Sequence, residues 1–100
     1  MIESEKIVFE VVDKSGRKIR LTKRQREHIL RDHPEISNEE VIKETLVNPT
    51  KITKPYEGKK YYYYKYFKSR KSPDKSLMVV VKYLNGDGFI ISAFYVRSIR

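Results

Sequence analysis

The stretch Lys59-Lys60-Tyr61-Tyr62-Tyr63-Tyr64-Lys65-Tyr66-Phe67-Lys68 restricts the fold of this 100-residue chain more than any other, because six of the seven residues from 61 to 67 are aromatic. Such side chains favour a pleated strand, on which Tyr61, Tyr63, Lys65 and Phe67 point one way and Tyr62, Tyr64 and Tyr66 the other. Both faces of that strand are aromatic. A buried phenol needs a hydrogen-bond partner, so one face is expected at a surface that uses its hydroxyls. Tyrosines interleaved with lysines can stack on bases while the ammonium groups meet phosphates; equally, they can be good strand formers covering a small core.

The surrounding pattern places this strand in a single α+β domain, since a chain of 100 residues has room for one small core. Residues 7–12 and 18–21 read as two strands around the turn formers Asp13-Lys14-Ser15-Gly16. Thr22 and Gln25 form a capping box that opens a helix over 23–32, and Pro34 stops it near His33. Ser37 and Glu40 repeat the box for a second helix, closed by Asn48-Pro49. Strands are expected at 51–54, 61–67, 77–84 and 89–96, with Asn85-Gly86-Asp87-Gly88 as a hairpin turn of open register. The expected architecture is an N-terminal β-hairpin and two helices packed on a four-stranded antiparallel sheet.

Charge is distributed unevenly. The 22 Lys and Arg exceed the 13 Asp and Glu by +9, yet residues 1–48 carry ten of each sign, so the whole excess lies beyond residue 48. A polyanion such as RNA is the partner class this suggests. With no cysteine, a disulfide framework, a thiolate nucleophile and a zinc ribbon are excluded. No apolar run approaches the roughly 20 residues that span a bilayer, and the start MIESEKIVFE is acidic where a secretory signal is basic. No membrane association and a cytoplasmic location are expected.

Both histidines fall in or beside the first helix. At helical spacing Arg24, His28 and Arg31 share one stripe, while Ile29 and Leu30 lie on the core side. Imidazole exchanges protons near neutral pH and guanidinium holds phosphate through paired hydrogen bonds, which suits RNA cleavage by 2′-hydroxyl attack. A solvated helix face that includes a histidine is the plain alternative. His33 reads either as a second proton-transfer group or as a half-buried corner residue before Pro34, and the five-residue spacing of the histidines suits no metal pair. Lys82 interrupts the apolar run 77–81, and Ser92 sits within the apolar run 89–94; each is a candidate substrate contact or a satisfied structural residue. Arg97 and Arg100 add charge at the carboxyl end.

These segments together resemble small phage-associated nucleases of the barnase, EndoU, colicin and RelE-like superfamily. The resemblance spans residues 7–96; its most particular element is the H-I-x-x-x-H-P-E pattern from His28 to Glu35, supported by Leu77-Met78-Val79-Val80-Val81-Lys82 and Gly88-Phe89-Ile90-Ile91-Ser92-Ala93-Phe94. It implies helices packed on a four-stranded antiparallel sheet and metal-independent RNA cleavage without a cofactor. It also implies a toxin-like role restrained by an acidic antitoxin or immunity protein. The family's helix-borne histidine and basic residues map to His28, Arg24 and His33, and its last-strand hydroxyl maps to Ser92. Where relatives carry T-A-Y, this chain has Ser92-Ala93-Phe94, so a tyrosine hydroxyl is missing there and Tyr95 or one of Tyr61 to Tyr66 would have to replace it.

The expected catalytic set is therefore His28, Arg24, His33, Lys82 and Ser92, with Arg31, Tyr62, Tyr64, Lys65 and Tyr95 binding substrate. Two other classes fit the same residues: a non-catalytic nucleic-acid-binding module, and a basic interaction domain for an acidic partner.

Overall fold

The computed structural model describes residues 6–54 and 60–98. Its first hairpin is built by one carboxylate. Asp13 Oδ1 accepts hydrogen bonds from Ser15 N (3.0 Å), Ser15 Oγ (2.7 Å) and Arg17 N (2.8 Å). Gly16 supplies the positive φ of +91° that the turn requires. This joins β1 (Ile7–Val12) to β2 (Lys18–Thr22) as antiparallel neighbours.

Thr22 ends β2 and also caps α1 (Lys23–Asp32), its hydroxyl accepting from Gln25 N. No linker separates strand from helix. The second helix, α2 (Glu39–Val47), is capped by Asn38, whose Oδ1 accepts from Glu40 N at 2.9 Å. The expected cap at Ser37 is thus displaced by one residue. Asparagine serves as an N-cap as readily as serine, so two adjacent cap-forming residues leave the start ambiguous in sequence. An ion pair between Arg26 and Glu39 ties the two helices together.

The remaining strands are β3 (Lys51–Thr53), β4 (Lys60–Tyr66), β5 (Ser76–Leu84) and β6 (Asp87–Val96). Asn85 (φ 54°) and Gly86 (φ 86°) form the two-residue turn between β5 and β6, which pairs Leu84 with Asp87 and settles the open register. Arg100, counted above as terminal charge, lies outside the described residues, as do residues 1–5 and 55–59.

The sheet overturns the expected architecture while leaving the α+β class unchanged. Among the described residues it has six strands in the order β1-β2-β6-β5-β4-β3, and it is mixed rather than antiparallel, because β2 runs parallel to β6 through Ile19–Gly88 and Arg20–Phe89. The hairpin does not pack on a four-stranded sheet; it extends one. Ile19 and Leu21 are fully buried, so β2 needs cover on its inner face, which the helices give, and a neighbour at its edge, which β6 gives. Gly88 permits the contact, since a Cβ there would lie 2.9 Å from Tyr83 Cε1 and 3.0 Å from Ile19 Cγ1. Local sequence patterns do not record a pairing between strands so far apart in the chain.

One face of the sheet is covered by the helices. Ile29, Ile42 and Leu46 pack there against Leu77, Val79, Val81 and Ile90. On β6 a bulge opposite Val80 and Val81 inserts Ile91, after which Ser92, Phe94 and Val96 point away from the helices while Ala93 and Tyr95 point toward them. Among the described residues no helix is long and apolar enough to cross a membrane.

Asp13 also joins the hairpin to the sheet centre. Its Oδ2 accepts from the hydroxyl of Tyr63 on β4, and the single hydroxyl proton of Tyr83 on β5 is shared between that carboxylate, 3.3 Å away, and the Tyr63 oxygen. Asp13 is 5% exposed. Burial works to raise its pKa, but hydrogen bonds from Tyr63, Ser15 and the Arg17 amide outweigh it, and the net direction is downward. The contribution of Asp13 to stability is therefore present above the ordinary carboxylate value and is lost as pH falls through its lower folded value. In urea unfolding, Asp13→Asn should cost about 1–3 kcal/mol at neutral pH, with the gap from wild type closing in acid. A gap that does not vary with pH would contradict this role.

Candidate functional site

Because Thr22 passes directly from β2 into α1, the helix begins where β2 leaves β6 and packs beside the rest of that strand. Ile29 faces the core, and Arg24, His28 and Arg31 face outward. With Gln25, Glu27 and the bulged Ile91 they line a depression of about 410 Å³. The structure thus assembles the stripe that helical spacing indicated and sets it against β6.

His28 is held at both ring nitrogens. Arg31 Nη2 lies 2.9 Å from Nδ1, and Asp32 Oδ2 lies 3.3 Å from Nε2. Guanidinium has only donors, so the Nδ1 lone pair accepts from Arg31 and the ring proton sits on Nε2, facing the carboxylate. This places a proton acceptor behind an arginine and an anion behind the nitrogen that carries the proton. His28 is 47% exposed, so the ring is open to solutes.

His33 closes α1, its amide donating to Ile29 O at 2.6 Å. Its ring stacks on Phe94 with centroids 5.1 Å apart and planes 22° apart, and its Nδ1 is 3.7 Å from Glu35 Oε2. Phe94 belongs to the sheet face opposite the helices, on which Tyr64 and Val80 are buried and Phe94 is half-buried. There Tyr64, Met78 and Phe94 align across β4, β5 and β6, and the row Tyr62, Val80, Ser92 lies beside them. Tyr62, Tyr64, Met78, Phe94 and Val96 floor a groove of about 670 Å³. Thr53, Ser98 and Arg97 complete its edge.

Lys82 is exposed on this same face, opposite Lys60 and Phe89, and does not line the α1 depression. Lys65 and Tyr95 lie on the other face, among the helices. Lys65 Nζ donates to Asn48 O at 3.1 Å and pairs with Glu44 at 3.6 Å. Tyr95 lies under the Arg70 guanidinium at 3.6 Å; burial pushes its phenol upward, partly offset by that arginine. Of the ten residues expected at the site, the structure groups Arg24, His28 and Arg31 in one place and Tyr62, Tyr64, Lys82 and Ser92 on one sheet face, where His33 stacks on Phe94.

Four residues beside these places are not among the ten expected. Asp32 stands four residues after His28, a spacing that marks it as a neighbour on the helix. Met78 and Phe94 join Tyr64 only through strand register and the bulge at Ile91. Arg97 borders the groove from beyond the last strand.

Among the described residues no group of three or more His, Cys, Asp or Glu side chains is placed to hold a metal ion. Comparison with protein-family models, with curated proteins and with solved structures finds no match to this chain. Neutral His28 should carry its proton on Nε2, which ¹⁵N NMR of the labelled protein reads directly; a dominant Nδ1–H tautomer would contradict the Arg31 contact.

Proposed function

We propose that the chain is a metal-independent endoribonuclease of toxin-like type, related to the barnase, EndoU, colicin and RelE-like nucleases and acting in the cytoplasm. The observation that carries the reading is His28 held between Arg31 and Asp32 on a helix face that borders β6.

The chemistry follows from those atoms. An incoming phosphate draws Arg31 away from His28, since charge-assisted bidentate bonds to phosphate exceed a bond to neutral imidazole. That frees the Nδ1 lone pair. The substrate 2′-hydroxyl then gives its proton to Nδ1 as its oxygen bonds to phosphorus, and Asp32 stabilises the resulting imidazolium from the Nε2 side. The bond from phosphorus to the 5′-oxygen breaks, and that oxygen takes a proton from His33, stacked at Phe94. Arg24 and Arg31 offset the charge that builds on the phosphorane oxygens, while Ser92 and Lys82 hold the chain along the sheet. An acidic antitoxin or immunity protein is the partner that the charge excess would suit.

A second reading, a non-catalytic nucleic-acid-binding module, is favoured by the groove, which requires no histidine to bind. Incubation of RNA with the protein in EDTA separates the two. Wild type should cut, and His28→Ala should be slower by about a hundredfold or more. Intact RNA, or equal cleavage by the variant, would refute the ribonuclease assignment.

A further inference from the structure

We propose that Arg17, Lys54 and Tyr61 form an oxyanion site at the hairpin end of the sheet, and that its ligand is a phosphate monoester. The site shares no residue with the α1 depression or with the groove, and it stands whether or not the chain cuts RNA.

The hairpin turn delivers Arg17 to this place. Asp13 fixes its backbone, with Oδ1 accepting from the Arg17 amide at 2.8 Å and the Asp13 amide donating to Arg17 O at 2.8 Å. The guanidinium carbon then rests 4.7 Å from the ring centroid of Tyr83 and 5.2 Å from that of Tyr61, and these two rings meet edge to face at 4.9 Å. Aromatic faces hold a cation without using up its N–H groups, which lie in the guanidinium plane and stay open to an acceptor. Lys54 comes directly after the Thr53–Tyr62 pair, and its Nζ is 5.9 Å from the Tyr61 ring.

These cations are not spent on the protein's own acids. Arg20, Arg26, Arg31 and Arg97 each meet an Asp or Glu, whereas among the described residues no carboxylate pairs with Arg17 or Lys54. Asp13 shares the turn, but its oxygens are taken by Ser15, the Arg17 amide and the Tyr63 and Tyr83 hydroxyls. The surroundings instead favour negative charge on a neighbouring oxygen: Arg17 first, then Lys54, holds the Tyr61 phenol below its ordinary pKa, against the upward push of desolvation. A field that stabilises a phenolate stabilises an external oxyanion in the same place. The guanidinium fork suits paired phosphate oxygens, and the protonated phenol can donate to a third. A phosphate monoester approaches two negative charges at neutral pH and matches two cations, whereas a phosphodiester carries one.

The test is an NMR titration of the full chain at constant ionic strength, following Arg17 Nε–H and Tyr61 Cζ. Inorganic phosphate and adenosine monophosphate should each give saturable shifts at both, and the phosphodiester ApA should bind at least about tenfold more weakly. Tighter binding of the nucleotide than of phosphate assigns the site to a nucleotide end, and equal binding to phosphate itself. Bound phosphate should also raise the Tyr61 pKa, because a second anion beside the phenol opposes its ionisation. Arg17→Gln and Lys54→Gln, each with native circular dichroism, should weaken phosphate binding about tenfold. The same shifts from chloride, ApA bound as tightly as phosphate, a Tyr61 pKa that phosphate leaves unmoved, or wild-type binding by both folded variants would overturn the site. Cleavage of RNA in EDTA is scored separately, so that the nuclease reading and this site fail independently.

Discussion

The Asp13 carboxylate holds together two parts of the chain that have no other covalent or sequential reason to meet. One oxygen shapes the first hairpin, and the other takes hydrogen bonds from Tyr63 and Tyr83 on strands 50 and 70 residues away. With the β2–β6 pairing and the Arg20–Asp87 ion pair, that carboxylate fixes where the hairpin lies. Because β2 belongs to the hairpin and runs straight into α1, the position of His28 follows from the position of Asp13. Burial pushes the phenols of Tyr63 and Tyr83 upward, so they stay neutral donors throughout the physiological range.

Strand β6 converts that placement into a site. Its first residues pair with β2, its middle carries the bulge at Ile91, and its later residues floor the groove. Without the inserted residue, strand alternation would turn Phe94 toward the helices and Tyr95 outward. The bulge accordingly decides which aromatic side chain of β6 lies on the face opposite the helices. It also puts Ile91 in the depression lined by Arg24, His28 and Arg31.

Local features of the fold were legible in the sequence because their causes are local. Thr22 and Pro34 bracket α1, Asn85-Gly86 turns β5 into β6, and the alternation of Tyr61 to Phe67 separates two faces. The sheet order was not legible, since β2 and β6 meet through two residue pairs that leave no periodic trace. The site divides the same way. Arg24, His28 and Arg31 followed from helical spacing alone. Lys65 and Tyr95 were assigned to substrate from aromatic and basic character, and register turns both toward the helices, where Asn48, Glu44 and Arg70 engage them. Asp32 was visible at the right spacing, but a charged residue at a helix end has many ordinary reasons to be there.

If His28 serves RNA cleavage as proposed, the attacking group is the substrate's own 2′-hydroxyl. The most direct measurement is the end chemistry of products from an oligoribonucleotide, alongside the same oligomer with a single 2′-deoxy substitution at the cut position. A 2′,3′-cyclic phosphate is expected on the first and no cleavage at that position in the second. Cleavage that persists at the deoxy position, or products ending in a 3′-hydroxyl, would contradict it.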